Sequence, residues 1–255
     1  MILPRFLILL LLLPLLASCQ SSAEQKQIDG DNSKRAALHY RLGIDALHKG
    51  MLPKAFEELM LSDKISPDQP ETLDAIAYAW RTRGNNKEAK KYYERAVKMN
   101  ASSATRNNYG SLLIELGEYK AAVKQLNIAL EDPRYRNQSL AFTNLGDALI
   151  GLKKLNEGVA AYRKAHMMSP NWTQPQLREA DAYIQFKRPH YAQALFETIL
   201  RKEPANQQAL QGLIQLLKSK KENKLLKKNI QTFITKTTNE LHKAWAKDEL
   251  ARLRK

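Results

Sequence analysis

The sequence predicts an all-α fold, a right-handed solenoid of helix hairpins with about six repeats and a C-terminal capping helix, and three observations predict it. Composition is the first: 255 residues contain only 10 Gly and 10 Pro, and long stretches are Ala, Leu, Lys, Glu and Gln, the residues that enter helices at least cost. Self-similarity is the second. Small residues twelve apart recur as Gly43 with Ala55, Ala77 with Ala89, Gly110 with Ala122, Gly146 with Gly158 and Ala180 with Ala192, and the pairs advance by about 34 residues. The third lies behind each pair: a large side chain four residues on (Leu59, Tyr93, Leu126, Tyr162, Phe196) and, in three units, a late proline (Pro67, Pro170, Pro204).

Each recurring residue has a physical task. A small residue facing a small residue lets two helix axes approach, a large one fills the wedge between neighbouring hairpins, and proline stops the second helix. Lys49-Gly50, Arg83-Gly84-Asn85, Leu116-Gly117 and the Arg188-Pro189 region supply turns inside the hairpins. The pattern resembles the tetratricopeptide repeat. It places one repeat domain over 35–255, with units at about 36–69, 70–102, 103–138, 139–172, 173–206 and 207–238, and a capping helix over 239–254. The longer step from Gly110 to Gly146 is filled by Asp132-Pro133-Arg134-Tyr135-Arg136, read either as a tolerated loop insertion or as a contact element around Tyr135.

Before the repeats stand Arg5, a Leu-rich run ending at Leu16, and Ala17-Ser18-Cys19, the order of a secretory signal over 1–18. The apolar run is well short of the roughly 20 residues a spanning helix needs. Leu16-Ala17-Ser18-Cys19 resembles the bacterial lipobox, in which the signal is cut before a cysteine whose sulfur carries a diacylglycerol. That resemblance implies a membrane anchor through lipid on Cys19, and Gln20, which is no retention residue, implies the periplasmic face of the outer membrane. Cys19 is the single cysteine, so no internal disulfide can form. Residues 19–34 are polar and read as a flexible tether, with a frayed first helix as the alternative.

In a first helix the second, fifth, ninth and twelfth positions share one face, the inner one of such a stack. That face carries Tyr40, Ile44 and Leu47 in the first unit, then Tyr78, then Asn107, Ser111 and Ile114, then Thr143, and it reads as a groove for a segment of a protein partner, apolar at its first-unit end. The alternative is that Tyr40, Ile44 and Leu47 pack beneath the tether or a neighbouring helix. A clamp for acidic peptide tails is disfavoured, because Tyr40 and Ile44 stand where it would need polar donors.

Other functions find little in the residues. The five histidines have no ligand spacing and no glycine-rich phosphate loop exists, so neither an enzyme nor a metal, cofactor or small-molecule site is expected. Net charge is +15, near +14 once Arg5 leaves with the signal, but a secreted, lipid-anchored chain is not expected to meet nucleic acid. Lys218, Lys220, Lys221, Lys224, Lys227 and Lys228 read as a solvated helix face, or as a surface for phosphate-bearing head groups or acidic cell-wall polymer.

Asn107-Asn108-Tyr109-Gly110, then Tyr119, Ala122, Tyr135 and Asn144-Leu145-Gly146, together with the lipobox, resemble the PilF/PilW family of type IV pilus assembly lipoproteins. The resemblance implies a pilotin, which carries secretin subunits to the outer membrane and promotes their multimerisation. The other reading of the residues is a repeat adaptor that recruits cell-wall synthases or hydrolases through its basic face.

Overall fold

The computed structural model describes the backbone of residues 6–220 and 223–253, and side chains within 27–218 and 224–253. Among the described residues there are thirteen helices and no strand: α1 (Phe6–His48), α2 (Leu52–Ile65), α3 (Pro70–Thr82), α4 (Asn86–Lys98), α5 (Ser103–Glu115), α6 (Tyr119–Glu131), α7 (Gln138–Gly151), α8 (Leu155–Met168), α9 (Gln174–Gln185), α10 (Pro189–Lys202), α11 (Gln207–Lys220), α12 (Asn223–Lys236) and α13 (Glu240–Arg252). The expected all-α fold of stacked hairpins is what is found. The chain divides into two compact units, Met1–Thr105 and Arg106–Lys255.

Five hairpins turn by one device. Met51 N–H donates to Ala46 O, Asn85 to Trp80 O, Glu118 to Leu113 O, Lys154 to Leu149 O and Arg188 to Tyr183 O, all within 2.8–2.9 Å, the six-to-one bond that closes a helix C-terminus. The preceding residue must then be left-handed. Gly50, Gly84 and Gly117 supply this without strain, but Lys153 (φ 64°) and Lys187 (φ 57°) do the same job with a side chain. Second helices stop just before Pro67, Pro170 and Pro204, and N-caps start several helices: Asn85 accepts from Glu88 N, Asn206 from Ala209 N and Asn239 from His242 N.

The close approach inside a hairpin differs from the expectation. A Cβ at Gly43 would lie 2.5 Å from the Leu59 side chain, one at Gly110 2.7 Å from Leu126, and one at Gly146 2.4 Å from Tyr162. The small residue of the first helix therefore receives the large side chain of its own second helix, and small-on-small approach occurs at Gly158, where an added Cβ would lie 3.2 Å from the Gly146 carbonyl oxygen. Wedge filling between hairpins is also present, with Phe196 against Gly212 and Tyr119 against Gly151.

In the first unit, Leu59, Ala75 and Ile76 form the core between α1, α2 and α3, and Leu73, Ala96 and Ala101 a smaller one beside α4. Arg95 ties this unit together, reaching Asp63 at 3.1 Å and Asp68 at 2.8 Å. In the second unit a continuous core runs from Ile150 through Tyr162, Phe196, Leu213 and Leu226 to Phe233 and Ala246. Residues 27–34, expected in a tether, continue α1 as exposed helix; Gln27, Asn32, Ser33 and Lys34 tolerate helix, Asp31 lies 3.9 Å from Lys34, and Gly30 alone costs about 1 kcal/mol. The signal segment and the Cys19 side chain lie outside the residues whose side chains are described. No described helix is long and apolar enough to cross a membrane.

Candidate functional site

In the first unit the face built by α1 and α3 encloses a cleft of about 230 Å³. Ala36, Ala37 and Tyr40 form its α1 wall, Ser62 comes from α2, and Glu71 and Thr72 from the head of α3. Pro70 in the first turn of α3 starts that helix here, which sets Glu71 and Thr72 at the mouth. Ser62, fully buried, donates to Ala36 O at 2.9 Å and sits 3.4 Å from the Thr72 hydroxyl, so the floor is a satisfied polar seam between three helices.

Tyr40, Ile44 and Leu47 are half-buried and pack on Leu59, Ala75 and Ile76. The three share one side of α1, and most of that side is used in joining α1 to α3. Burial, reinforced by Asp74 and Glu71, pushes the Tyr40 hydroxyl above its ordinary pKa, so it stays a neutral donor at the cleft. Tyr78, about one turn beyond Asp74 on α3, is half exposed. The open surface is thus mixed rather than apolar: aromatic edges and alanines beside the two carboxylates Glu71 and Asp74.

In the second unit the expected groove residues divide. Asn107 is buried and its Oδ1 accepts from Asn144 Nδ2 at 2.9 Å, which fastens α5 to α7; Thr143 is buried and donates to Ser139 O at 2.9 Å. Both hold the scaffold and present no open donor to a partner. Ser111 and Ile114 are half-buried on the same side of α5. Beyond them lies a cluster that the repeat pattern only half revealed. Asp147 accepts from the Tyr162 hydroxyl at 2.7 Å, and Arg178 Nε stands 4.0 Å from its other oxygen. Burial raises the pKa of both Asp147 and Asp181, with Arg178 opposing the shift in each. The available signal was that Asp147 and Asp181 lie 34 residues apart, at equal positions of successive repeats.

Tyr135 sits half-buried in the connection between α6 and α7, its amide bonded to Asp132 O at 3.1 Å, and burial raises its pKa. Asp132 also accepts from the Arg134 amide and guanidinium, so this insertion is an ordered turn. Among the described residues no three His, Cys, Asp or Glu side chains are placed to hold a metal ion. The site offers hydrogen-bonding and apolar contact to another chain.

Residues 75–137 and 140–171 each match a family described as tetratricopeptide repeat. Among curated proteins, the chain is 31% identical over 111 residues to Protein STIP1 homolog of Dictyostelium discoideum, covering 43% of this chain and 19% of that one. It is 30% identical over 115 residues to cellulose synthase operon protein C of Escherichia coli strain K12, covering 45% and 10%. The chain therefore spans a fifth or less of the length of these relatives. Among solved structures it is similar to Pseudomonas aeruginosa pilF, with a TM-score of 0.66 at 21% identity, covering 86% of this chain and 99% of that one. It is similar also to PilW, a widely conserved type IV pilus biogenesis factor, with a TM-score of 0.70 at 16% identity, covering 86% and 98%. At such identities the likeness shows the fold alone, a solenoid of helix hairpins of the tetratricopeptide-repeat kind.

Proposed function

We propose that this tetratricopeptide-repeat chain is a non-catalytic assembly factor of type IV pilus biogenesis, anchored to the outer membrane by lipid on Cys19, that binds secretin subunits and promotes their multimerisation. The observation that carries the reading is the lipobox-like Leu16-Ala17-Ser18-Cys19 ahead of a stack of helix hairpins whose first unit holds a cleft of about 230 Å³. Its likeness to pilF and PilW over nearly the whole of those chains supports the reading, as does the Asn107-Asn108-Tyr109-Gly110 motif.

The mechanism rests on attachment. A subunit held in the cleft of α1 and α3 is confined to a thin layer at the bilayer, so its effective concentration rises and encounters between subunits become frequent without any chemical step. The cleft contributes apolar burial at about 25 cal/mol per Å² and fixes direction through Tyr40 and the Glu71 carboxylate. Replacing Cys19 by Ser separates the two halves: secretin still co-purifies with the variant, but heat-resistant secretin multimers disappear from the outer membrane. Multimers at wild-type abundance in Cys19→Ser cells would refute the mechanism.

A further inference from the structure

We propose that the solvent face of α12 is a docking surface for a bilayer bearing anionic phospholipid, a role that does not depend on which partner fills the cleft. Residues 204–239 hold seven lysines, no arginine and one acid, Glu222. The fold forces the charges of α12 outward. Leu226, Ile230 and Phe233, at helical spacing, are fully buried in the core of the second unit, which leaves Lys224, Lys228 and Lys236 exposed and Lys227 half-exposed around the rest of the helix.

Some lysines of other helices are neutralised by neighbours, as in Lys49 with Asp45, Lys91 with Glu88 and Lys154 with Glu157, and Lys218 at the end of α11 pairs with Glu249. Lys224, Lys227, Lys228 and Lys236 have no acidic partner among the described residues. Four ammonium groups with no described acidic partner on one 14-residue helix make a positive field that an anionic surface would complement.

Two further features favour a lipid surface over a soluble polyanion. Leu241, in the first turn of α13 and five residues after Lys236, is 82% exposed, the kind of side chain a head-group layer can receive and a water-soluble polymer cannot. The charges are all lysine, point charges without the planar fork that reads bases or stacks on them, and α12 exposes no aromatic platform.

The test measures partition of the full chain onto phosphatidylcholine vesicles with and without phosphatidylglycerol. The ratio of the two cancels any apolar attachment shared by both. Each lysine near such a surface is worth roughly fivefold, so Lys224→Gln, Lys227→Gln and Lys228→Gln together reduce the phosphatidylglycerol preference by about a hundredfold. High salt erases the same preference in the unaltered chain. Replacing the already paired Lys49, Lys91 and Lys154 by Gln removes equal charge and leaves the preference in place, and Leu241→Ser weakens binding to both vesicles without changing its salt dependence. An unchanged preference in the α12 variant with wild-type circular dichroism overturns the proposal. So does dextran sulfate binding more tightly than the phosphatidylglycerol vesicles through the same lysines, which would assign the face to a soluble polyanion.

Discussion

Adding one methyl group at Gly146 should destabilise the fourth hairpin by about 3 kcal/mol, through a hydrogen bond as well as the aromatic ring. A Cβ there would stand 2.4 Å from Cε1 and 2.5 Å from Cδ1 of Tyr162, far inside van der Waals contact. The ring cannot retreat cheaply, because its hydroxyl is held at 2.7 Å by Asp147, the next residue on the same helix. Overpacking costs about 1–3 kcal/mol, losing a hydrogen bond to a charged group about 1.5–3 kcal/mol, and the helix preference of Ala over Gly returns about 1 kcal/mol. The equivalent Ala180 coexists with a buried Phe196 because that ring, with no hydroxyl to tether it, leans onto Gly212 of the next hairpin. Urea unfolding followed by circular dichroism of Gly146→Ala, Tyr162→Phe and the double variant isolates the cause. If the methyl already breaks the bond, Tyr162→Phe costs about 1.5–3 kcal/mol in the wild-type background and less than about 0.5 kcal/mol in the Gly146→Ala background. A Gly146→Ala protein within about 0.5 kcal/mol of wild type, or two costs that simply add, would refute the coupling of ring and hydroxyl.

Backbone strain and buried charge supply other tests. Lys153→Gly and Lys187→Gly each remove a left-handed side-chain residue at a position where three other hairpins use glycine, so each should stabilise the fold by about 0.5–1 kcal/mol in urea unfolding, the relief of strain exceeding the entropy added to the unfolded chain. Burial raises Asp147, Glu179 and Asp181 above the ordinary carboxylate range. These three groups then hold more protons in the folded than in the unfolded state inside that window, so the stability they contribute is fully present below the ordinary range and is lost as pH rises through the raised values. Thermal midpoints should therefore climb as pH is lowered from neutrality toward that window, and the climb should flatten in Asp147→Asn/Asp181→Asn; a wild-type midpoint that drops over the same interval contradicts the assignment.

The hairpins were legible because helices stacked in this way announce themselves twice, by small residues at a fixed period and by glycine or proline where most of them end. Lys153 and Lys187 show the limit of that signal: the turn geometry persists where glycine does not, since the closing bond to Leu149 or Tyr183 carbonyls and packing on either side impose the conformation. Reading small against small missed the true complement, because twelve-residue spacing aligns Gly43 with Ala55 in sequence while the helix rise brings Leu59 over it. The character of the candidate face was not legible. Spacing says which residues share a side, and it cannot say that Ile44 and Leu47 are consumed by α3 or that Asn107 is tied to Asn144. The α7–α9 cluster of Asp147, Arg178 and Asp181 needed coordinates, because its members come from two repeats and meet only when those stack.

The most direct test is the affinity of purified secretin subunits for the full chain carrying Ala37→Trp or Tyr78→Asp. Both positions are exposed, Ala37 on the wall of the cleft and Tyr78 about two turns along α3 from Glu71, so the hairpins stay folded while the surface offered to a partner changes. A secretin segment seated in the cleft predicts that Ala37→Trp, by filling that space, weakens binding about tenfold or more, and that Tyr78→Asp does likewise. Binding at wild-type affinity in both variants would contradict it.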